Sequence, residues 1–186
     1  MNSKIIHNFR INLFKEEQEF TLTDNSIIVK SKNDSESILL NTIKKVNLQH
    51  VPGFRGSPEQ YLCTIKYNQN KKIRFGSQSI VKAASFEDRR NSYVKFVNEL
   101  HSKLENKNIT YEKGSGIYFP FFVFYIIASI FFLFMAVYGF TNNKMQVGIV
   151  MLLALVGFGL VGKRMLKSLK KGNYNPSDIP NDLLPN

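Results

Sequence analysis

A chain of 186 residues with 25 Lys and Arg against 14 Asp and Glu carries a formal charge of +11, and its moderate average hydropathy conceals a polar section of about 113 residues, an apolar section and a tail of about 20. The lone Cys63 excludes an internal disulfide and suits a reducing compartment. His7, His50 and His101 are too far apart for metal-ligand spacing and no nucleophile stands beside a base, so no metal, cofactor or catalytic residue is expected.

The opening MNSKIIHNFRINLF is interrupted too often by Lys, His, Asn and Arg to be a signal peptide. Phe9, Ile11 and Leu13 alternate with polar residues as in a half-buried strand. Strands follow near 18–23, 26–32 and 36–41, punctuated by Asp24-Asn25 and Asn33-Asp34-Ser35, and they should pair antiparallel in sequence order. NTIKKVNLQHV mixes a helical turn with a strand, and VPGFRGSP marks an irregular loop. There Arg55, flanked by glycine-rich backbone, is a candidate for contact with a phosphate or acidic peptide. YLCTIKY and KKIRFGS read as a hairpin across Asn68-Gln69-Asn70, bringing the count to about seven strands. Cys63 is expected to be a small buried residue of this hairpin, and Lys71, Lys72 and Arg74 to be exposed cations able to hold an anionic ligand. Ser85 as N-cap with Asp88 three residues on opens a predicted helix of about 20 residues, with Phe86, Tyr93, Val97, Leu100 and Leu104 on one apolar face and His101 among solvent-facing polar residues.

Taken together, the antiparallel strands, the phrase SILLNTIKKVNL and the closing SYVKFVNELHSKL resemble the pleckstrin-homology-like fold, including bacterial PH-like and GRAM-like domains. The resemblance covers residues 5 to 107. It implies an α+β domain over 1–113, a small antiparallel β-barrel or sandwich capped by one C-terminal helix, acting as a binding module and not an enzyme.

Beyond this section lie two apolar runs, 117–140 and 145–166, separated by Thr141-Asn142-Asn143-Lys144. The first has about 24 uncharged residues, more than the roughly 30 Å of a bilayer core requires, and the second is extended by Lys163 and Arg164, which can snorkel. They are predicted to form a transmembrane hairpin. Lys163, Arg164, Lys167, Lys170 and Lys171 crowd its exit, so the positive-inside rule places both termini on the cytoplasmic side of an inner or plasma membrane, with this basic flank on the leaflet. Gly157, Gly159 and Gly162 fit GxGxxG, but inside an apolar run and not at a strand-to-helix turn. With Ala154 they are expected to serve helix packing or self-association through the hairpin. Residues 167–186, rich in Pro, Asn and Asp, are expected to be a basic flank and a disordered tail. The positive charge is spread over many elements with no reading motif, so nucleic acid is not an expected partner.

These readings converge on an integral membrane protein that presents a PH-like module, whose partners are membrane lipids and either a protein or an anionic ligand. The rival reading is an effector in which ligand binding drives oligomerisation of the hairpins and perturbs the membrane.

Overall fold

The computed structural model describes residues 4–53, 57–83, 85–114, 119–169 and 171–185, with the backbone alone for 119–122, 161 and 163–169. It is an α+β protein of two compact units, one built from the chain up to Gly114 together with the segment after Lys170, the other from the residues between.

The first unit begins with a meander of β1 (Ile5–Phe9), β2 (Gln18–Leu22), β3 (Ser26–Lys30) and β4 (Ser35–Leu39), each antiparallel to the next. Because side chains alternate along a strand, the registers Phe20↔Val29 and Ile27↔Ile38 line Phe20, Leu22, Ile27, Val29 and Ile38 along one buried face. A 3-10 turn at Leu40–Thr42 leads into β5 (Ile43–Val51), followed by β6 (Gln60–Tyr67) and β7 (Lys71–Gly76). Asn68 and Asn70 close the β6–β7 hairpin at φ 46° and 78°, left-handed conformations that asparagine tolerates. β10 (Thr110–Lys113) joins β5 in parallel, β11 (Gly172–Asn173) pairs antiparallel with β10, and the sheet order is β11-β10-β5-β6-β7. β8 (Gln78–Lys82) and β9 (Ser85–Asp88) form a separate hairpin, and α1 (Arg90–Leu104) follows. Tyr93, Phe96, Val97, Leu100 and Leu104 of α1 are fully buried with Phe20, Phe75, Ile65 and the thiol of Cys63, whose burial raises its pKa.

Four expectations are corrected here. Eleven strands in several sheets replace about seven, and among the described residues they do not close a barrel. Residues 85–88 are a strand, not a helix start: Phe86 pairs opposite Ile80, and the Asp88 carboxylate accepts the Arg90 N–H at 2.9 Å at the start of α1. His101 is buried, since it follows Leu100 on an apolar face wider than the heptad-like spacing suggested. Its Nδ1 donates to the Val97 carbonyl at 2.7 Å, and its Nε2 accepts the Tyr174 hydroxyl at 2.7 Å. The tail over 171–185 is not disordered. Tyr174 packs against Tyr111 and His101, Leu183 is 4% exposed, and Asn175↔Asp178 closes a turn between these anchors, so two apolar residues hold a segment whose Pro and Asn serve turns.

The second unit contains α2 (Phe119–Thr141) and α3 (Met145–Leu169), joined by a short turn with Asn143 at φ 56°. Val123–Thr141 is long and apolar enough to cross a membrane, and among the residues whose side chains are described the apolar run of α3 covers Met145–Leu160. The helices meet where Tyr125 and Phe132 pack on Phe158 and where Gly139 approaches Gly148. Of the four predicted packing positions, Gly162 lies against the Tyr125 ring and Ala154 is half-buried, but a Cβ on Gly157 or Gly159 would meet nothing within 4 Å. Sequence reading missed Gly139, where a Cβ would lie 2.7 Å from the Gly148 backbone nitrogen. Backbone cannot swing aside as a side-chain tip can. Gly139→Val is therefore expected to destabilise the helix pair by about 1–3 kcal/mol, and Gly157→Val to leave it within about 0.5 kcal/mol. Thermal unfolding of the detergent-solubilised variants measures the difference.

Candidate functional site

The β1–β2 connection, the β3–β4 hairpin and β7 enclose a cleft of about 390 Å³ in the first unit. Its position follows from topology. β4 and β7 each end their sheet, so no further strand pairs along their outer edges beside the cleft.

Arg74 and Lys72 come from β7 because they alternate with Ile73. Arg74 is opposite Thr64, and its Nε donates to the Thr64 Oγ1 at 3.1 Å, which fixes a half-buried guanidinium. Burial lowers its pKa from the ordinary arginine value, which still leaves it charged at neutral pH. Lys72 is opposite Lys66, which is in turn opposite Lys45, so three cations form a row across β7, β6 and β5. Like charges directly opposite one another are unfavourable. Glu112 relieves this at Lys45 through an ion pair, and among the described residues no carboxylate pairs with Lys66, Lys72 or Arg74. Lys15 enters the cleft from the β1–β2 connection.

Of the two acids lining the cleft, Glu36 has side-chain partners. Glu36 accepts the Tyr67 hydroxyl at 3.0 Å and the Lys71 ammonium at 3.3 Å. Burial, aided by that carboxylate, pushes the Tyr67 pKa up to about 12, so Tyr67 stays a neutral donor. Asp34 lies on the turn beside them. The arrangement therefore presents Lys15, Lys72 and Arg74 to an incoming group while Glu36 is held by its own partners. Two other clefts of similar size contain Glu105 with Asp178, and Glu59 with Arg90, and neither gathers cations among the described residues.

Three of the sequence candidates thus fall at or beside one place: Lys72 and Arg74 line the cleft, and Lys71 sits on its rim bound to Glu36. Arg55 lies outside the described residues. Lys163, Arg164 and Lys167 are on α3 with side chains outside the description, Lys170 is also outside it, and Lys171 is exposed. Lys15 and Lys66 were missed. Lys66 was recoverable from the YLCTIKY–KKIRFGS hairpin, whose register puts it opposite Lys72, but nothing local marks Lys15.

No protein-family model and no curated protein matches the chain. Among solved structures it is similar to the hSac2 domain from the human phosphoinositide phosphatase Sac2, at 10% identity and a TM-score of 0.42 over 61% of this chain and 76% of that one, a likeness too slight to carry fold or function across.

Proposed function

We propose that this chain is a membrane-held binding module: a pleckstrin-homology-like domain that takes an anionic ligand in the β4–β7 cleft, carried on a helical pair that crosses the bilayer twice with both chain ends on the cytoplasmic side. The observation that carries the ligand reading is the convergence of Lys15, Lys72 and Arg74 on one cleft whose Glu36 is already engaged by Tyr67 and Lys71. Of the cleft cations Arg74 is held in place by Thr64, so its guanidinium is preorganised for an anion. The membrane reading is supported by α2, with Phe124, Ile127, Ile130 and Phe134 each at least 60% exposed in a continuous apolar helix, and by the cations at the end of α3 and just beyond it.

The test uses the full chain in mild detergent with inorganic pyrophosphate as the probe. Wild-type protein is expected to bind it with an affinity that falls as salt rises. Arg74→Gln is expected to weaken binding by about tenfold to a hundredfold, the loss of one charge-assisted contact, with Lys72→Gln weaker in effect because that side chain is more exposed. Equal binding by wild type and the double variant removes the cleft as the site. Reconstituted vesicles that leak on adding the probe would replace the module by the effector reading.

A further inference from the structure

The β1–β2 connection presents an aromatic side chain to water. Phe14 is 98% exposed and Leu13 beside it 40%. The loop holding them is not slack. Arg10 Nε donates to the Lys15 carbonyl at 2.7 Å and its Nη2 to the Leu13 carbonyl at 2.8 Å, while Asn12 Oδ1 accepts the Phe14 and Lys15 N–H groups at 3.1 and 2.9 Å. Arg10 is itself anchored, its N–H donating to Ser79 Oγ at 2.9 Å and its carbonyl accepting the Ile80 N–H at 3.1 Å. Such a loop has little conformational entropy left to lose on binding. Five of its backbone polar groups, the N–H of Phe14 and Lys15 and the carbonyls of Asn12, Leu13 and Lys15, are also bonded from within, which matters for a segment entering a poorly hydrated medium.

What the loop meets is indicated by charge. Ile11 and Lys15 line the same cleft as Lys72 and Arg74, so the apolar tip is continuous with a group of cations. The nearby Glu17 is turned toward Arg89, at 3.5 Å. An aromatic and a leucine beside lysines match a leaflet with anionic headgroups, where apolar groups enter the acyl boundary and ammonium groups remain at headgroup level.

We propose that Ile11–Lys15 is a lipid-surface wedge, in which Phe14 and Leu13 enter the acyl boundary of an anionic leaflet and Lys15 stays among its headgroups. This rests on the membrane-held reading above. It gives the domain a second attachment to the surface besides its helices, and so sets how the cleft faces its ligand.

The chain has no tryptophan, so Phe14→Trp introduces a single reporter. The full-length variant is reconstituted into phosphatidylcholine vesicles with or without phosphatidylserine, and co-flotation is scored first. With phosphatidylserine present, the indole emission is expected to shift to the blue and to be quenched by brominated acyl chains. Adding Lys15→Gln is expected to lower the inserted fraction by about fivefold, the effect of one surface cation. A reporter placed by Leu39→Trp on β4, where the native side chain is 51% exposed, is expected to show neither change. An indole that stays in water in both lipids, equal quenching at position 39, or a blue shift already present in detergent overturns the wedge, the last pointing to contact with protein. Protein that does not float contradicts the membrane-held reading as well, whereas protein that floats with its indole in water contradicts the wedge alone.

Discussion

Replacing Phe75 by alanine is expected to lower the stability of the sheet-rich unit by about 3–5 kcal/mol, a large share of the roughly 5–15 kcal/mol by which a domain of ordinary stability stays folded. The ring is fully buried and packs against four others, with centroids 5.2 Å from Phe20, 4.9 Å from Phe96, 6.0 Å from Tyr93 and 5.5 Å from His7. It thereby joins the β1–β4 meander, the second sheet and α1 at one point. No flexible neighbour is available to fill the space, since Phe20 and Phe96 are themselves buried in strand and helix and His7 is hydrogen-bonded to the Gly76 backbone. The matched control is Phe86→Ala. Sequence spacing puts Phe86 on the same helix face as Tyr93, but it sits half-exposed on β9, so its loss is expected to cost about 1 kcal/mol or less. Denaturant unfolding followed by circular dichroism separates the two. Similar losses would mean that Phe86 belongs to the core after all.

The contrast between these phenylalanines shows what the sequence could reveal. Strands β2, β3 and β4 were legible because turn formers bracket runs rich in Thr, Ile and Val, and β6 and β7 because Asn68-Gln69-Asn70 separates two alternating segments. The helix face from Tyr93 onward was legible for the same reason, its period. What failed was set by pairing partners outside the segment being read. SFED satisfies a capping pattern, yet the pairing of Phe86 with Ile80 decides for a strand. The short β10 and β11 have no pattern of their own and exist because β5 offers an edge on which Thr110–Lys113 can pair in parallel. The tail looked disordered by composition, and Tyr174 and Leu183 alone overturn that by burying themselves. The cleft was half legible: the cations of KKIRF are evident, but that Glu36 holds Lys71 while Lys72 and Arg74 line the cleft, and that Lys15 joins them, comes only from the fold.

Acidification is expected to destabilise the protein well before its carboxylates titrate, and His7 is the reason. The ring is 1% exposed on β1, lies among Phe9, Phe20, Phe75, Tyr93 and Phe96, and is held at both nitrogens. Nε2 donates to the Gly76 carbonyl at 3.1 Å, a partner that only accepts, and Nδ1 lies 2.9 Å from the Ser92 Oγ, which also faces the Arg89 carbonyl at 3.0 Å. Burial in this aromatic cage lowers its pKa to about 4, and the nearby Arg89 cation acts in the same direction, while the hydrogen bond to Gly76 opposes it. The unfolded chain takes up the proton at the ordinary histidine value near 6.5. Between these two values the unfolded state binds more protons than the folded one, so the contribution of His7 is complete above about pH 6.5 and declines as pH falls toward 4. The decline is about 1.4 kcal/mol per pH unit, about 3 kcal/mol over the whole window. His101, its pKa also lowered by burial, contributes with the same sign. Denaturant midpoints measured from pH 7.5 to 4.5 should therefore fall steeply in wild type and less steeply in His7→Gln, which lacks the titration even if its starting stability is lower. A slope unchanged by His7→Gln would assign the acid sensitivity elsewhere, with His101→Gln as the next variant to measure.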